Sequence, residues 1–125
     1  MIFGIFDGPH ADHEAVLKEA RRYGDHLVAV VAQDHIVEQI FGFLPTVNFA
    51  ERFEKLKTED GVDEVVIGDA DMTAWRIVKQ YEPDVVVFSA HQKLLEEDLR
   101  ASLHRLVKKP RVEALLSSEI ISPRR

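Results

Sequence analysis

Cysteine is missing from the whole 125-residue chain. That absence removes disulfides, thiolate zinc sites and cysteine nucleophiles. It fits a reducing compartment, and a cytoplasmic location is the expectation. No apolar run approaches the roughly 20 residues needed to cross a bilayer. The first residues have neither a basic stretch nor a long apolar one, so no signal peptide is expected. Positive charge is also in deficit: 16 Lys and Arg face 22 Asp and Glu, a net charge of −6. Nucleic-acid and anionic-membrane surfaces need cationic excess, so neither is an expected partner. A small anion held at a local site remains compatible with that charge. Repeats and low-complexity segments are absent too. What remains, 46% hydrophobic and 30% charged residues, is the composition of a single globular domain over residues 1–125 with one core.

Within that composition, strand-like and helix-like patterns alternate. Met1 to Ile5, Leu27 to Ala32, Val62 to Ile67, Val85 to Phe88 and Arg111 to Leu115 read as strands. Most are apolar along their length, as strands covered on both faces are. Between them, apolar residues recur at helical spacing. The predicted helices are His13 to Tyr23 closed by Gly24, Asp34 to Phe41 capped by Asp34, Phe49 to Lys57, a helix capped by Asp71 and running to Tyr81, and Leu94 to Val107. Ser117 to Ile121 predicts a last helical turn. Alternating strands and helices imply a parallel sheet wrapped on both sides, which is an α/β fold. Ligands of such sheets bind beyond the carboxyl ends of the strands. The segments that matter are then Phe6–His13, Gln33–Asp34, Gly68–Asp71 and Ser89–Gln92.

The first of these segments carries the most chemistry. A short strand stops at Phe6-Asp7-Gly8-Pro9, and a helical pattern follows with His10 and His13 in it. The first N–H groups of a helix lack intrahelical partners and sit at the positive end of its dipole, so this arrangement suits an anion. Histidines three apart share a helix face and converge on one ligand. Both are expected to face that ligand rather than the core. Their simpler reading is a helix-cap histidine and a surface histidine. A zinc reading would need a third ligand such as Asp7 or Asp12. Trp75 reads as packing. His26, His35 and His104 read as structural or exposed.

The segment Gly4-Ile-Phe-Asp-Gly-Pro-His-Ala-Asp-His13 resembles the G-T-F-D-x-x-H-x-G-H opening of the cytidylyltransferase-like nucleotidyltransferases, the group of glycerol-3-phosphate cytidylyltransferase and archaeal FMN adenylyltransferase. The resemblance continues in order through Gly24-Asp-His-Leu-Val-Ala-Val-Val-Ala-Gln-Asp34, Ala50-Glu-Arg52, Val62-Asp-Glu-Val-Val66, Glu82-Pro-Asp-Val-Val-Val87 and Leu116-Ser-Ser-Glu-Ile-Ile121. It implies a three-layer Rossmann-like nucleotidyltransferase fold with a five-stranded parallel sheet in the order 3-2-1-4-5. It implies transfer of CMP or AMP from CTP or ATP to a small phosphorylated acceptor, with release of pyrophosphate and with Mg2+ or another divalent cation carried by the triphosphate. By resemblance His10 and His13 are the catalytic pair. Ile5, Phe6, Asp7, Asp34, Arg52, Ser117 and Ser118 bind nucleotide or phosphate, and His91 and Gln92 recognise base or acceptor. No protein metal ligand is implied. Family members commonly dimerise, and the apolar Phe41-Gly-Phe-Leu44 suits such a contact, so a homodimer is expected.

The chain also departs from the family pattern. The Thr after the first Gly is Ile5, and the Gly between the histidines is Asp12. The Thr of the closing motif is Glu119, the Gly closing P-D-x-x-x-x-G is absent, and residues 42–50 contain no lysine. Two added acids oppose a triphosphate. They motivate an alternative, a nucleotide-binding or regulatory protein of the same fold. A metal-dependent phosphate-ester hydrolase using the two histidines and nearby carboxylates is the third reading.

Overall fold

A computed structural model describes residues 1–8, 10–90 and 92–116; the side chains of His10 and Ala11 lie outside that description. Five strands, β1 (Ile2–Gly4), β2 (Val28–Val31), β3 (Glu64–Ile67), β4 (Val85–Phe88) and β5 (Arg111–Ala114), form one sheet. Every pairing is parallel and the order is β3-β2-β1-β4-β5, as the resemblance implied. The order reverses direction between β1 and β4, where Ile2 pairs with Val87 and Phe3 with Phe88. Such a reversal opens a crevice at the carboxyl edge of the sheet.

Side chains alternate across the sheet, so each strand feeds two cores. On one face, Val28, Val30, Val66, Val86 and Phe88 pack under α4 (Arg76–Tyr81) and α5 (Lys93–Ser102). On the other, Ile2, Ala29, Val31 and Val87 pack under α1 (His10–Ala20) and α3 (Phe49–Leu56). The three layers follow directly. Phe3, Trp75 and Phe88 form the densest knot, with Phe3 edge-on to Trp75 at 5.6 Å and stacked on Phe88 at 5.5 Å. Trp75 is packing, as its sequence context suggested, and its Nε1 donates to Asp98 at 2.7 Å.

Several element ends differ from expectation for local reasons. α1 starts at His10, three residues early, and passes into a 3-10 turn over Arg21–Tyr23. Gly24 after it is extended (φ 178), so it gives no left-handed cap. α2 spans Asp34–Phe41 as expected, but Gln33 holds the N-cap position and the Asp34 carboxylate goes elsewhere; Gly42, at φ 81, closes the helix by donating to Glu38 O. The helix before Tyr81 begins at Arg76, because Asp69 rather than Asp71 accepts its first N–H groups, from Arg76 at 2.8 Å and Ile77 at 3.2 Å. α5 runs from Lys93 to Ser102 and a 3-10 turn, Leu103–Arg105, follows it, so helical structure stops two residues short of the expected Val107. The predicted turn at Ser117 to Ile121 lies outside the described residues.

Candidate functional site

The carboxyl edge is built around a buried arginine. Phe49, Arg52, Phe53 and Leu56 share the inner face of α3, and Arg52 is only 1% exposed. A buried guanidinium needs its donors satisfied. Its Nε donates to Val47 O at 2.9 Å, Nη1 to Ile5 O at 2.7 Å, and Nη2 to Ala32 O at 2.8 Å. Nη2 also pairs with Asp34 Oδ1 at 2.6 Å. One side chain thus joins the ends of β1 and β2, the first residue of α2 and the loop before α3. Asp34 also accepts from Phe49 N at 3.3 Å.

In this structure the Arg52 guanidinium is enclosed by the protein's own carbonyls and the Asp34 carboxylate, and it braces the loop before α3. Asp7 braces the same loop. Its carboxylate accepts from Thr46 N and Val47 N, both at 2.7 Å. The structure brings Ile5, Asp7, Asp34 and Arg52 into one network, but as the frame of a site.

Phe6 leaves β1 with φ 56, in the left-handed region, where a side chain as large as phenylalanine is costly unless its surroundings hold it. It is held: Phe6 is 3% exposed and meets His13 edge to face, ring centres 5.7 Å apart. His13 is 6% exposed, so it belongs to the core as well as to the first turns of α1, contrary to the expectation of a purely ligand-facing ring. His10 opens α1. Asp12, the acid in that first turn, is partly exposed. His91, Ser117 and Ser118 lie outside the described residues.

Beside this turn is a small cleft of about 60 Å3. Ile5 floors it, Ile36, Ile40 and Phe41 of α2 form one wall, and Met72 and Trp75 form the other. Gln92 is a polar residue of the lining, 3% exposed, and its Oε1 accepts from Ser89 N at 3.3 Å. The far rim is the loop after β3, where Thr73 (φ 69) and Trp75 (φ 53) are both left-handed. Two contacts from β2's end hold that loop: Gln33 Nε2 to Gly68 O at 2.8 Å and His35 Nε2 with Ala70 O at 2.7 Å. Gly68 sits so close to β2 that an added Cβ would stand 3.0 Å from Val31 O.

The apolar walls were missed in the sequence, although the stripe Ile36, Val37, Ile40, Phe41 on α2 signals them. Ser89, buried at the end of β4, opens the expected Ser89–Gln92 segment but was not singled out as a site residue. It stands where the family pattern places a glycine.

The cytidylyltransferase-like family model matches residues 1–119. The FAD synthase of Thermococcus sibiricus is 41% identical over 101 residues, which span 78% of this chain and 68% of that protein. The FAD synthase of Pyrococcus horikoshii is 38% identical over 104 residues, 82% of this chain and 70% of that protein. Among solved structures, the lipopolysaccharide core biosynthesis protein from Thermoplasma volcanium superposes with a TM-score of 0.82 at 28% identity, over 95% of this chain and 96% of that one.

Proposed function

The chain belongs to the cytidylyltransferase-like family, and on that premise we propose that it is an adenylyltransferase that joins AMP from ATP to FMN. Its activity is of the nucleotidyltransferase type, as in the FAD synthases it resembles. A phosphate oxygen of FMN attacks the α-phosphorus of ATP, a new P–O–P bond forms, and the bond to the β-phosphate oxygen breaks. Pyrophosphate leaves with that bond's electron pair. The protein's share is positioning and charge stabilisation.

The observation that carries the choice of acceptor is the cleft. Its walls are aromatic and aliphatic around a few polar groups, the kind of lining against which a flat ring packs. A flat tricyclic ring fits such walls better than glycerol phosphate or phosphoethanolamine does. The triphosphate is read onto the β1–α1 turn, with His10 and His13 at its phosphates, and with Ser117 and Ser118 beside them by resemblance. His91 and Gln92 are read as contacts to base or acceptor. Magnesium is read as part of the ATP substrate, as the resemblance implies. Solution as a homodimer through Phe43 and the exposed Leu44 completes the reading; light scattering checks it.

Purified protein incubated with FMN, ATP and magnesium is expected to yield FAD and pyrophosphate in equal amounts. Faster pyrophosphate release from CTP with glycerol 3-phosphate or phosphoethanolamine would overturn this reading. Asp12, an acid in the first turn of α1, favours a second reading, nucleotide binding without turnover. Under it ATP binds without pyrophosphate release, and Asp12→Gly tightens that binding by removing a charge that opposes the phosphates.

A further inference from the structure

Resting on the nucleotidyltransferase reading, we propose that Ser89 is a substrate-contacting residue whose hydroxyl donates to a phosphate oxygen of the bound nucleoside triphosphate. Three observations converge on it. The first is place. Ser89 directly follows Phe88, whose partner across the sheet is Phe3. Ser89 therefore stands opposite Gly4, where β1 gives way to the turn into α1. This is the point at which the strand order reverses, the crevice where such sheets take their ligands.

The second observation is an unmet hydrogen bond. Ser89 is 3% exposed, and among the described residues its Oγ has no partner. Buried hydroxyls are almost always satisfied, and one left unsatisfied lowers stability. Its backbone, by contrast, is engaged: its carbonyl accepts from Gln92 N at 3.1 Å and its N–H donates to Gln92 Oε1 at 3.3 Å. The second of these contacts is at the long end of the hydrogen-bond range.

The third is the residue type. A glycine satisfies the backbone geometry here without burying a polar atom, and so does an alanine. Serine adds only a donor and acceptor aimed into a protein interior that does not use it. At the position between the phosphate turn and β4, a phosphate oxygen is the acceptor that would.

The test uses two variants, Ser89→Ala and Ser89→Gly, and two measurements on the full chain. Calorimetric titration with Mg–ATP reads the contact. A bond to a charged oxygen is worth roughly tenfold or more in affinity, so both variants should bind Mg–ATP about tenfold more weakly than the wild type. Thermal unfolding without ligand reads the unmet bond, and Ser89→Ala should melt roughly 3–6 °C higher. Weaker binding by a more stable protein is the expected signature. Equal affinity in wild type and both variants overturns the proposal while leaving the nucleotidyltransferase reading standing. Failure of the wild type to bind any nucleoside triphosphate overturns both.

Discussion

The two edges of the sheet are built on opposite terms. At the amino edge, polar groups pair with near neighbours and face water. Asp63 accepts from Leu27 N at 2.7 Å, the Tyr81 hydroxyl donates to Glu64, and Lys108 meets Asp84 at 2.7 Å. At the carboxyl edge a guanidinium is enclosed, three large or branched residues (Phe6, Thr73 and Trp75) hold left-handed backbones against one, Glu82, at the amino edge, and a hydroxyl is buried without a partner among the described residues. An apolar hollow opens there too. Strain and unmet polarity cost stability, and they persist where the surroundings hold them for another purpose. The difference locates function by its energetic cost rather than by motif.

The sharpest way to break that contrast is to remove the brace. Arg52→Ala strands the Asp34 carboxylate and the carbonyls of Ile5, Ala32 and Val47. The Asp34 carboxylate is 37% exposed and keeps its hydration, so the main cost is the enclosed carbonyls left without a donor, about 1–3 kcal/mol, and urea denaturation should show a loss of that order. Arg52→Lys should recover only part of it, because an ammonium cannot reproduce the planar fork that reaches four acceptors. A loss below about 1 kcal/mol, the usual size for an exposed ion pair, would show that the carboxyl edge does not depend on this residue.

The histidines separate the frame from the chemistry. His10→Ala and His13→Ala should each lower turnover by about 100- to 1,000-fold, the usual cost of one transition-state phosphate contact. His13→Ala should also destabilise the fold by about 1–3 kcal/mol, because it empties a buried site against Phe6. Unchanged turnover in either variant would remove that residue from the mechanism. Unchanged stability in His13→Ala would show that its burial does not matter to the core.

The sequence already contained most of the layers. β4 and α2 have the predicted limits, because apolar runs and helical spacing are local signals. The strand order was legible only through resemblance, since periodicity says nothing about which parallel strands are neighbours. Arg52 shows where local reasoning stops. Its helical spacing from Phe49 and Leu56 places it on the inner face, yet a charged residue reads as surface or ligand unless its acceptors are known, and two of them, Ile5 O and Ala32 O, come from the ends of β1 and β2, far along the chain. Asp71 reads as the cap from sequence, but the left-handed Trp75 moves the start of α4 to Arg76, and Asp69 accepts the first N–H groups instead. The unmet Ser89 hydroxyl has no local sequence signal, because it is defined by what surrounds it.

The mildest test sharpens the comparison from the amino edge, where one group departs from the pattern of exposed pairs. The Met1 ammonium donates to Val85 O at 2.8 Å, and burial lowers its pKa from 8.0 to about 6 against a smaller opposing pull from Asp84. A base whose folded pKa is depressed is held neutral by the fold. Above pH 8 the amine is neutral in both states and costs nothing. As the pH falls from 8 toward 6, the unfolded chain takes up a proton that the folded chain refuses, so stability declines. Below about 6 both states are protonated and the decline ends. The total is up to about 3 kcal/mol. Urea midpoints measured across that window should fall with pH, and acetylating the amine should flatten this part of the profile. If the acetylated protein keeps the same slope, the titrating group lies elsewhere, and the amino edge is as indifferent to pH as its exposed pairs suggest.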